Sequence, residues 1–384
     1  MHGVRQAGEV TITPVSSPAE LDRFIRLPMR LGAGDPNYIA PLIQERRAAL
    51  TPKTNPFFDH AEVQLWLAVR EGRDVGRISA QIDELAPSDG GPRAGHFGLI
   101  SGEDDPTVFA ALFAVAEAWL RQRGCVRVQG PFNLSINEEV GVLVDGFDTP
   151  PMLMMGHDPP YLAAQIEAQG YARLKDVYAY ASQMTDPLPP KVLRMLSRGA
   201  PAGVKLRMLD MKRYDEEVGV LTEILNDAWS QNWGFTPTTT AETVQLAKSL
   251  KLVVDPRLCW FAEIDGEIAG FIVVLPNVNE AIRDLGGKLA PFGWAKLLWR
   301  LKVQRVKSAR VPLMGVRKRF AATKRGQLLP FLLIEVASRE ADKLGYKTVE
   351  LSWILEDNLP MRHILEAVGS RAYKTYRLYE KTLA

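Results

Sequence analysis

Apolar and polar residues follow the same order in two distant stretches of the chain. Residues 66–78 and 260–272 share Trp, Ala, an acidic residue before Gly, a second Gly and Ile at identical spacing. In each stretch an apolar run, an acidic residue with Gly, and a second apolar run predict a β-hairpin with a tight turn. The offset from Trp66 to Trp260 is 194 residues, about half of the 384-residue chain. The pattern therefore predicts two copies of one domain, since solenoid repeats are much shorter.

Helical periodicity also recurs in both copies. A long amphipathic helix is predicted over Phe109–Arg123 and over Leu328–Leu344, each followed by Gly and a strand. A second helix ends at Gly170 in the first copy and at Gly369 in the second. Each copy thus reads β-hairpin, strand, helix, strand, helix, strand. The predicted fold class is α/β, with mixed central sheets flanked by helices.

The spacing of these landmarks locates two insertions. The offset grows to 221 from Gly124 to Gly345 and falls to 199 from Gly170 to Gly369. Extra residues are therefore expected within 277–311 of the second copy and within 130–160 of the first. Long loops that distinguish two copies favour a functional role, with neutral surface loops as the alternative. A Pro-rich stretch separates the copies, so we expect domains over 8–186 and 204–384 joined by a linker over 187–203.

Composition narrows the class of protein. Hydrophobic residues make up 46% and charged residues 24% of the chain, which is ordinary for a globular protein. The net charge of +2 argues against a nucleic-acid partner. Two cysteines without a paired motif indicate free thiols in a reducing cytoplasm, and the histidines show no metal-ligand spacing. The first twenty residues lack an apolar signal core, so a cytoplasmic location is expected, with peripheral contact to the inner membrane.

The two copies differ at the turn that opens the long helix. In the second copy the predicted strand 311–316 leads into a basic, Gly-containing turn that includes Arg317, Lys324, Arg325, Gly326 and Gln327. Such a turn presents backbone N–H groups and positive charge to an anion such as a pyrophosphate. The matching turn of the first copy, 101–106, holds three carboxylates, which repel a phosphate. One anion site is therefore predicted, with a solvated basic loop as the alternative.

From this turn onward the second copy resembles the GNAT acyltransferase superfamily. The order strand, basic turn, helix, strand, Asn358 and a second helix to Gly369 is similar to the core of that fold. The resemblance implies that backbone amides at Arg325-Gly326 cradle the pyrophosphate of coenzyme A. Leu328 and Pro330 stand where that family usually has Gly or Ala, and Leu365 stands where many members place a tyrosine acid.

A narrower resemblance extends over nearly the whole chain. Its motifs are Leu27-Pro28, Asp35-Pro36-Asn37-Tyr38-Ile39-Ala40-Pro41-Leu42, Asn55-Pro56-Phe57-Phe58, and Gly130-Pro131-Phe132-Asn133-Leu134-Ser135-Ile136-Asn137-Glu138-Glu139 with Gly141. These are similar to a bacterial double-GNAT group that includes the ceramide synthases, which N-acylate a sphingoid base from a fatty acyl-CoA. The resemblance implies acyl-CoA as co-substrate, with no permanently bound cofactor and no metal.

The same resemblance implies which residues bind coenzyme A. They are predicted on the last strand residues, the basic turn and the start of the second helix: Gly315, Val316, Arg317, Lys324, Arg325, Gly326, Gln327 and Asn358. A bulge around residues 315–317 is expected to polarise the acyl carbonyl through backbone N–H groups, because Gly inside a strand often marks a bulge.

The catalytic groups are predicted in the insertion of the first copy. Glu138 and Glu139 are candidates for the base or for binding the ammonium group, and Asn133 and Ser135 for binding substrate hydroxyls or a carbonyl. The alternative is an Asn/Ser turn that caps a helix beginning near Glu138. His363 is a weaker acid or base candidate, with a structural role favoured. No grouping indicates a covalent nucleophile, so direct attack by the amine is preferred.

The insertion of the second copy is amphipathic over residues 291–303. A helix beginning at Pro291 would place four apolar residues on one face and three cations opposite. The apolar residues are Trp294, Leu297, Leu298 and Leu301; the cations are Lys296, Arg300 and Lys307. Trp combined with Lys and Arg is typical of a helix lying in a membrane interface. The alternative is a helix packed on the core with a solvated basic face.

The resemblance implies an acyl-CoA-dependent N-acyltransferase whose acceptor is a long-chain amino alcohol, a sphingoid base or 3-oxosphinganine. The domain over 8–186 is expected on the acceptor side and that over 204–384 to bind acyl-CoA. Two alternatives stay open: a GNAT acetyl or aminoacyl transferase acting on another amine, and a non-catalytic protein that binds CoA or lipid. Because the two copies form a pseudo-dimer within one chain, a monomer or weak dimer is expected.

Overall fold

The chain folds into two compact units in a computed structural model that describes residues 8–87 and 93–383. The first unit comprises the chain up to Asp176, the segment Asp284–Lys288 and the chain from Tyr376 onward. The second comprises Val177–Arg283 and Leu289–Thr375. Both contain a mixed sheet with helices packed against it, which confirms the predicted α/β fold class.

The helices and strands are numbered along the chain. The first copy contains β1 (Thr11–Pro14), α1 (Pro18–Leu31), α2 (Ile43–Ala49), β2 (Ala61–Arg70), β3 (Arg73–Asp83), β4 (Ala94–Gly102), α3 (Pro106–Gln122), β5 (Arg127–Gly130), β6 (Val142–Asp145), α4 (Leu162–Glu167) and β7 (Ala172–Gln183). The second contains α5 (Pro190–Leu196), β8 (Val204–Met208), α6 (Tyr214–Trp229), α7 (Thr240–Leu250), β9 (Cys259–Ile264), β10 (Glu267–Pro276), α8 (Val278–Ile282), α9 (Gly293–Trp299), β11 (Ser308–Val316), α10 (Lys318–Ala321), α11 (Lys324–Lys343), β12 (Thr348–Leu355), α12 (Leu359–Ala367) and β13 (Arg371–Thr382).

Each unit is completed by a strand from the other copy of the repeat. In the first unit the strand order is β1-β2-β3-β4-β5, and the β13 residues from Tyr379 to Thr382 pair antiparallel with β5. In the second unit the order is β8-β9-β10-β11-β12, and the β7 residues from Val177 to Gln183 pair antiparallel with β12. The two copies in the sequence and the two compact units are therefore different sets of residues.

The repeated segments form matching hairpins, as the pattern predicts. Strand β2 pairs with β3 and β9 with β10, both antiparallel. The two turn residues have positive φ in each hairpin: 50° and 74° at Glu71 and Gly72, 52° and 86° at Asp265 and Gly266. Positive φ at both positions is the type I′ geometry, whose twist matches that of the strands.

The long helices cover the sheets with the apolar stripes expected from their periodicity. In the first unit α3 buries Val108, Phe109, Leu112, Phe113, Ala116 and Leu120 against β3 and β4. In the second unit α11 buries Leu329, Leu333 and Ala337 within the core. The glycines that follow these helices, Gly124 and Gly345, have φ of 77° and 86°, the left-handed geometry predicted for them.

The helix considered as the alternative near Glu138 is absent, whereas a helix forms in the second insertion, as predicted. Around Glu138 no helix forms; Phe132 and Val140 instead make an isolated β-bridge that closes the loop. In the second insertion α9 begins at Gly293 and continues as a π-helical turn over Arg300–Gln304. The predicted apolar face is divided, because Leu297 and Leu301 pack on the core whereas Trp294 and Leu298 are exposed. That part of the prediction was wrong.

Within residues 8–87 and 93–383 no helix combines the length and the apolar content that crossing a bilayer requires.

Gly98 offers a test of the close packing between β4 and the first insertion. A Cβ atom on Gly98 would lie 1.7 Å from the Phe132 carbonyl oxygen, and the Phe132 amide is held by the Phe97 oxygen at 2.8 Å. We expect Gly98→Ala to lower the free energy of unfolding by about 1–3 kcal/mol in urea titrations followed by Trp fluorescence. Gly34→Ala is the matched control, because nothing lies within 4 Å of its Cβ position. Equal effects of the two changes would contradict the packing described.

Candidate active site

The second unit contains a fork between two parallel strands. β11 and β12 pair from Ser308 opposite Thr348 to Val311 opposite Leu351, where the pairing stops. Both strands continue, β11 alongside β10 and β12 alongside β7. Because neither strand has its former partner beyond this point, a gap opens in the sheet between them.

A proline explains where the fork begins. The register between β10 and β11 shifts between Val273, opposite Leu313, and Leu275, opposite Arg310. The extra β11 residue of this bulge lies at Val311–Pro312, and Pro312 has no N–H to donate to a neighbouring strand. The bulge was predicted around residues 315–317, where the pairing with β10 is in fact regular. That prediction was wrong because Gly315 serves close packing instead, with Ala228 and Phe271 each 3.3 Å from its Cβ position.

A cleft of ≈ 520 Å³, counting its open mouth, occupies the fork. Its walls are mainly apolar, with a few polar groups: Trp229, Asn232, Val311, Pro312, Met314, Leu351, Ser352, Trp353, Ile354, Leu355, Asn358, Met361 and Leu365. The Trp229 indole N–H donates to the Met314 carbonyl oxygen at 3.3 Å and so fixes α6 on β11. Apolar walls with few polar groups are typical of a small-molecule site.

The predicted basic turn lies directly after β11, at the start of α11. Thr323 caps this helix, its hydroxyl accepting the Gly326 amide at 3.0 Å. A Cβ atom on Gly326 would lie 1.9 Å from the Phe320 carbonyl oxygen, so only glycine fits there. The first turn of an α-helix leaves backbone N–H groups without intrahelical acceptors, and α11 therefore presents donors and positive potential to an anion.

Several cations of this turn are paired with carboxylates of the same unit. Arg325 contacts Asp265 of the β9–β10 turn at 2.8 Å, and Arg317 contacts Glu223 at 3.4 Å. The hydrogen bond from Arg325 lowers the pKa of Asp265 below its usual range. Arg319 likewise pairs with Glu267. These pairs orient the guanidinium groups. Arg319 and Arg325 are largely exposed, so their ion pairs cost little to break, whereas Arg317 is half-buried.

The equivalent helix start in the first unit carries its own anion. The Asp105 carboxylate caps α3 by accepting the Thr107 amide at 2.9 Å, and Arg70 contacts the same carboxylate at 2.7 Å. A carboxylate therefore occupies the place where a phosphate would bind. This agrees with the predicted difference between the two copies.

Asn358, His363 and Leu365 lie at or within α12, and only some of them face the cleft. Asn358 caps this helix, its side-chain oxygen accepting the Met361 amide at 3.2 Å, and it lines the cleft. Leu365 is fully buried and also lines the cleft, one turn from Met361. His363 is exposed and lies between them in sequence, so it does not face the cleft. The structure thus brings Asn358 into the site and leaves His363 outside it.

A buried polar network lies at the base of the fork. Arg310 and Glu350 stand opposite each other on β11 and β12, with side chains 4% and 0% exposed and 3.7 Å apart. Arg310 Nε donates to the Ser352 hydroxyl at 2.8 Å. The hydroxyls of Ser352 and Tyr373 both donate to the Glu350 carboxylate. Because Ser352 lines the cleft, this network connects the cleft to a fully buried carboxylate.

In the first unit, the predicted loop is held by its own polar residues. Asn133 accepts the Leu99 amide at 2.8 Å and donates to the Glu139 carboxylate at 3.0 Å. Ser135 accepts the Asn137 amide at 3.1 Å. The amide of Glu138 donates to the Ser135 carbonyl oxygen. Asn133 and Ser135 therefore shape the loop, and the half-buried carboxylate of Glu139 accepts one hydrogen bond from it.

Glu139 belongs to a charged cluster that the sequence analysis did not identify. Arg46 lies 3.7 Å from Glu139, and Tyr38, Arg77 and Asp158 interact electrostatically with the same carboxylate. Burial opposes the charge of Arg46, but the carboxylates of Glu45 and Glu139 hold its pKa above the usual range. Glu139 thus interacts with two arginines, a second acid and a tyrosine.

Burial shifts the other members of this cluster toward their neutral forms. It raises the pKa of Asp158 to about 6, against a hydrogen bond from the Leu143 amide that lowers it. It raises the pKa of Tyr38 to about 12 and lowers that of Arg77 to about 10. Such shifts are frequent where titratable groups bind substrates, although structural networks produce them too.

The repeat contained a signal for this cluster. Arg77 lies in β3, and the matching position of the second copy is Phe271 in β10. A cation where the other copy has a phenylalanine departs from the shared pattern. Asp158 and Tyr38 gave no comparable signal, because both lie in irregular segments.

Asp158 generates a pH-dependent prediction. Its pKa is raised from 3.8 to about 6, so its contribution to stability is complete below pH 3.8 and is lost as the pH rises through 6. We expect Asp158→Asn, which keeps an oxygen for the Leu143 amide, to raise the free energy of unfolding at pH 8 by on the order of 2 kcal/mol. A much smaller gain is expected at pH 4, which is only just above the unfolded pKa of 3.8. Urea titrations at both pH values measure this.

Asp145→Asn on β6 is the control for that experiment, because Asp145 is exposed. It should change the free energy of unfolding little at either pH. A loss of stability in Asp158→Asn at pH 8 would contradict the assigned direction.

Comparison with known proteins places this geometry in a family. No family model matches the chain. The chain is 64% identical over 376 residues to the bacterial ceramide synthase of Caulobacter vibrioides, covering 98% of each. It is 47% identical over 364 residues to protein YghO of Escherichia coli, covering 95% of this chain and 93% of that protein.

Solved structures show the same fold at low sequence identity. A tandem GNAT protein from the clavulanic acid biosynthesis pathway superposes with a TM-score of 0.57 at 16% identity, covering 98% of this chain and 99% of that one. A GCN5-related N-acetyltransferase from Sphaerobacter thermophilus gives 0.53 at 16%, covering 97% and 96%. The fold is thus that of tandem GNAT proteins, and the chain belongs to the family of the bacterial ceramide synthase.

Proposed function

We propose that this protein transfers a fatty acyl group from acyl-CoA to the amine of a long-chain amino alcohol, a sphingoid base or 3-oxosphinganine. The observation that carries the proposal is the 64% identity over 98% of the chain to a bacterial ceramide synthase. The fork and the basic helix start in the second unit support it, because they provide the groups that thioester aminolysis needs. The product is an amide of the ceramide type.

Acyl-CoA is proposed to bind along the second unit. Its pyrophosphate would lie at the first turn of α11, near Lys324, Arg325, Gly326 and Gln327, where N–H groups and cations converge. The end of β11, including Gly315, Val316 and Arg317, would run beside the pantetheine arm, with Asn358 at the opposite edge of the fork.

The thioester is proposed to lie in the fork itself. Backbone N–H groups of β11 beside the Val311–Pro312 bulge would polarise the acyl carbonyl, since a bulge frees amides from the ladder. Each such donor is commonly worth about 10²–10³-fold in rate. The apolar walls formed by Val311, Met314 and Leu355 would surround the first part of the acyl chain.

The reaction forms a C–N bond and breaks the C–S bond, so the amine loses a proton and CoA leaves as a thiolate. Glu138 and Glu139 are the proton acceptors that the sequence predicts, and the cluster around Glu139 also suits an ammonium group and hydroxyls. A second candidate is Glu350, reached from the cleft through the Ser352 hydroxyl. In that route the amine proton passes to Ser352 Oγ as the Ser352 proton moves to Glu350.

The proposal includes a peripheral position on the cytoplasmic side of the inner membrane. Both substrates carry long alkyl chains, which partition into bilayers, and residues 291–303 expose apolar side chains. The chain itself would act as a monomer or weak dimer, with no nucleic acid as partner.

An activity assay tests the reaction. Purified protein is incubated with palmitoyl-CoA and either sphinganine or 3-oxosphinganine, and free thiol release and product mass are followed. Thiol release that depends on the acceptor, with an amide product, is expected. Thiol release with other amines only would mean that the acceptor belongs to a different class of amine. CoA binding without turnover would favour a non-catalytic role. Glu139→Gln and Glu350→Gln identify the base, since the one that carries the proton should lower kcat by about 10²-fold or more.

Gly326→Ala tests the proposed pyrophosphate site. The added methyl group would contact the Phe320 carbonyl oxygen and displace the first turn of α11. We expect CoA affinity, measured by calorimetry, to fall by at least about tenfold, equivalent to roughly 1.4 kcal/mol. Gly219→Ala in α6 is the control, because nothing lies within 4 Å of its Cβ position. Unchanged CoA affinity in Gly326→Ala, with the fold intact, would place the pyrophosphate elsewhere.

A further inference from the structure

The second insertion exposes a cluster of large apolar side chains. Phe292 is 78% exposed, Trp299 60%, Trp294 57%, Val303 57% and Leu298 42%. All five lie within twelve consecutive residues. Scattered exposed apolar residues are ordinary, but such a local concentration marks an interaction site. We call these five residues the apolar patch.

The apolar patch stands on an anchored segment. Leu297 and Leu301 of the same segment pack on the core of the second unit. The Arg300 guanidinium donates to the Ala281 carbonyl oxygen at 2.7 Å. One side of the segment is therefore fixed to the protein, and the patch is presented outward as part of the folded unit. A helix that merely covered the core would not leave two Trp side chains more than half exposed.

The charge of the surrounding chain is strongly one-sided. Between Leu285 and Ile334 the sequence has no Asp or Glu but contains twelve cations: Lys288, Lys296, Arg300, Lys302, Arg305, Lys307, Arg310, Arg317, Lys318, Arg319, Lys324 and Arg325. The whole chain has a net charge of only +2, so this tract concentrates positive charge. Lys296, Lys302, Arg305 and Lys307, which are close to the patch in sequence, are all exposed.

Carboxylates of the same unit offset part of this charge, because they pair with Arg310, Arg317, Arg319 and Arg325. Glu280 accepts the amides of Lys307 and Ser308 at 2.8 and 3.0 Å. Asp255 is paired with Arg257 at 2.6 Å. Burial raises the pKa of Asp255, but Arg257 and, less strongly, Lys302 lower it below the usual value, so this carboxylate is ionised and already paired.

Exposed aromatic and aliphatic side chains beside Lys and Arg are the combination that binds the surface of an anionic bilayer. Trp and Phe are favoured at the boundary between headgroups and acyl chains, and anionic lipids attract Lys and Arg near the membrane surface. A protein partner would have to be both apolar and strongly acidic. We propose that the apolar patch and its four flanking cations dock the protein on an anionic bilayer surface. This inference rests on the proposed function, because docking places the site where both lipid substrates reside.

Vesicle sedimentation tests the docking directly and without substrate. The wild type should sediment with phosphatidylcholine vesicles that contain phosphatidylglycerol, and much less with phosphatidylcholine alone. Raising the salt concentration should weaken the binding, because charge contributes to it. If the wild type sediments with neither type of vesicle, or equally with both, the proposal is wrong.

Paired variants separate the two components of the surface. Trp294→Ser/Trp299→Ser removes apolar area, and we expect at least about tenfold weaker partitioning. Val244→Ser/Leu252→Ser is the matched control, since these side chains are 46% and 71% exposed elsewhere on the same unit. Lys302→Glu/Lys307→Glu should abolish the preference for anionic vesicles, whereas Lys248→Glu should not. Equal binding by test and control variants would overturn the proposal.

Two further measurements separate this inference from the reaction itself. With short-chain, water-soluble acyl-CoA and acceptor, the Trp294→Ser/Trp299→Ser variant should turn over at the wild-type rate, whereas with vesicle-bound substrate it should be slower. Failure of the wild type to form any amide would contradict the proposed function and leave vesicle binding as a separate result. Light scattering tests whether a second copy of the chain covers the patch instead. A wild-type dimer that becomes a monomer in the Trp294→Ser/Trp299→Ser variant would make the patch a self-association surface and overturn docking.

Discussion

The arrangement of the second unit depends on a backbone position that cannot donate a hydrogen bond. Pro312 follows directly on the last paired residue of β11, and the parallel ladder with β12 ends there. Beyond this point β11 pairs only with β10, and β12 pairs only with β7. A cleft therefore opens between β11 and β12. Asn358 and the helix that begins after it close one edge of that cleft. A ladder defect thus creates the space in which the proposed chemistry occurs.

The two units show how one scaffold supports different helix starts. In the first, Asp105 caps α3 with a carboxylate, and Arg70 neutralises it. In the second, Thr323 caps α11 with a neutral hydroxyl, and glycine at Gly326 allows the turn to approach Phe320 closely. The helix dipole is the same in both cases, but a carboxylate offsets it in the first unit and a neutral hydroxyl does not in the second. The two helix starts therefore differ in the charge of their capping residue.

The sequence predicted those parts of the candidate site that depend on neighbouring residues in the chain. The basic turn and Asn358 could be placed because helix starts and caps follow from local sequence. The bulge was misplaced because Gly315 resembles a bulge residue, whereas the true cause, Pro312, acts through its missing N–H. In the first insertion the carboxylates were identified, and a structural turn was the alternative for Asn133 and Ser135. Their partners, the Leu99 and Asn137 amides, could not be assigned from the sequence.

By itself, the sequence determined the elements and their order. The type I′ turns, the capped helices and their glycine ends depend on φ preferences and neighbours within four residues, and both copies have them. Only the tertiary structure decided which strands pair. β7 and β13 leave their own copies and complete the other sheet, and Arg77 meets Glu139 from separate segments. Such pairings join residues far apart in the chain, and local patterns carry no information about them, because pairing energy depends on which edges and side chains meet.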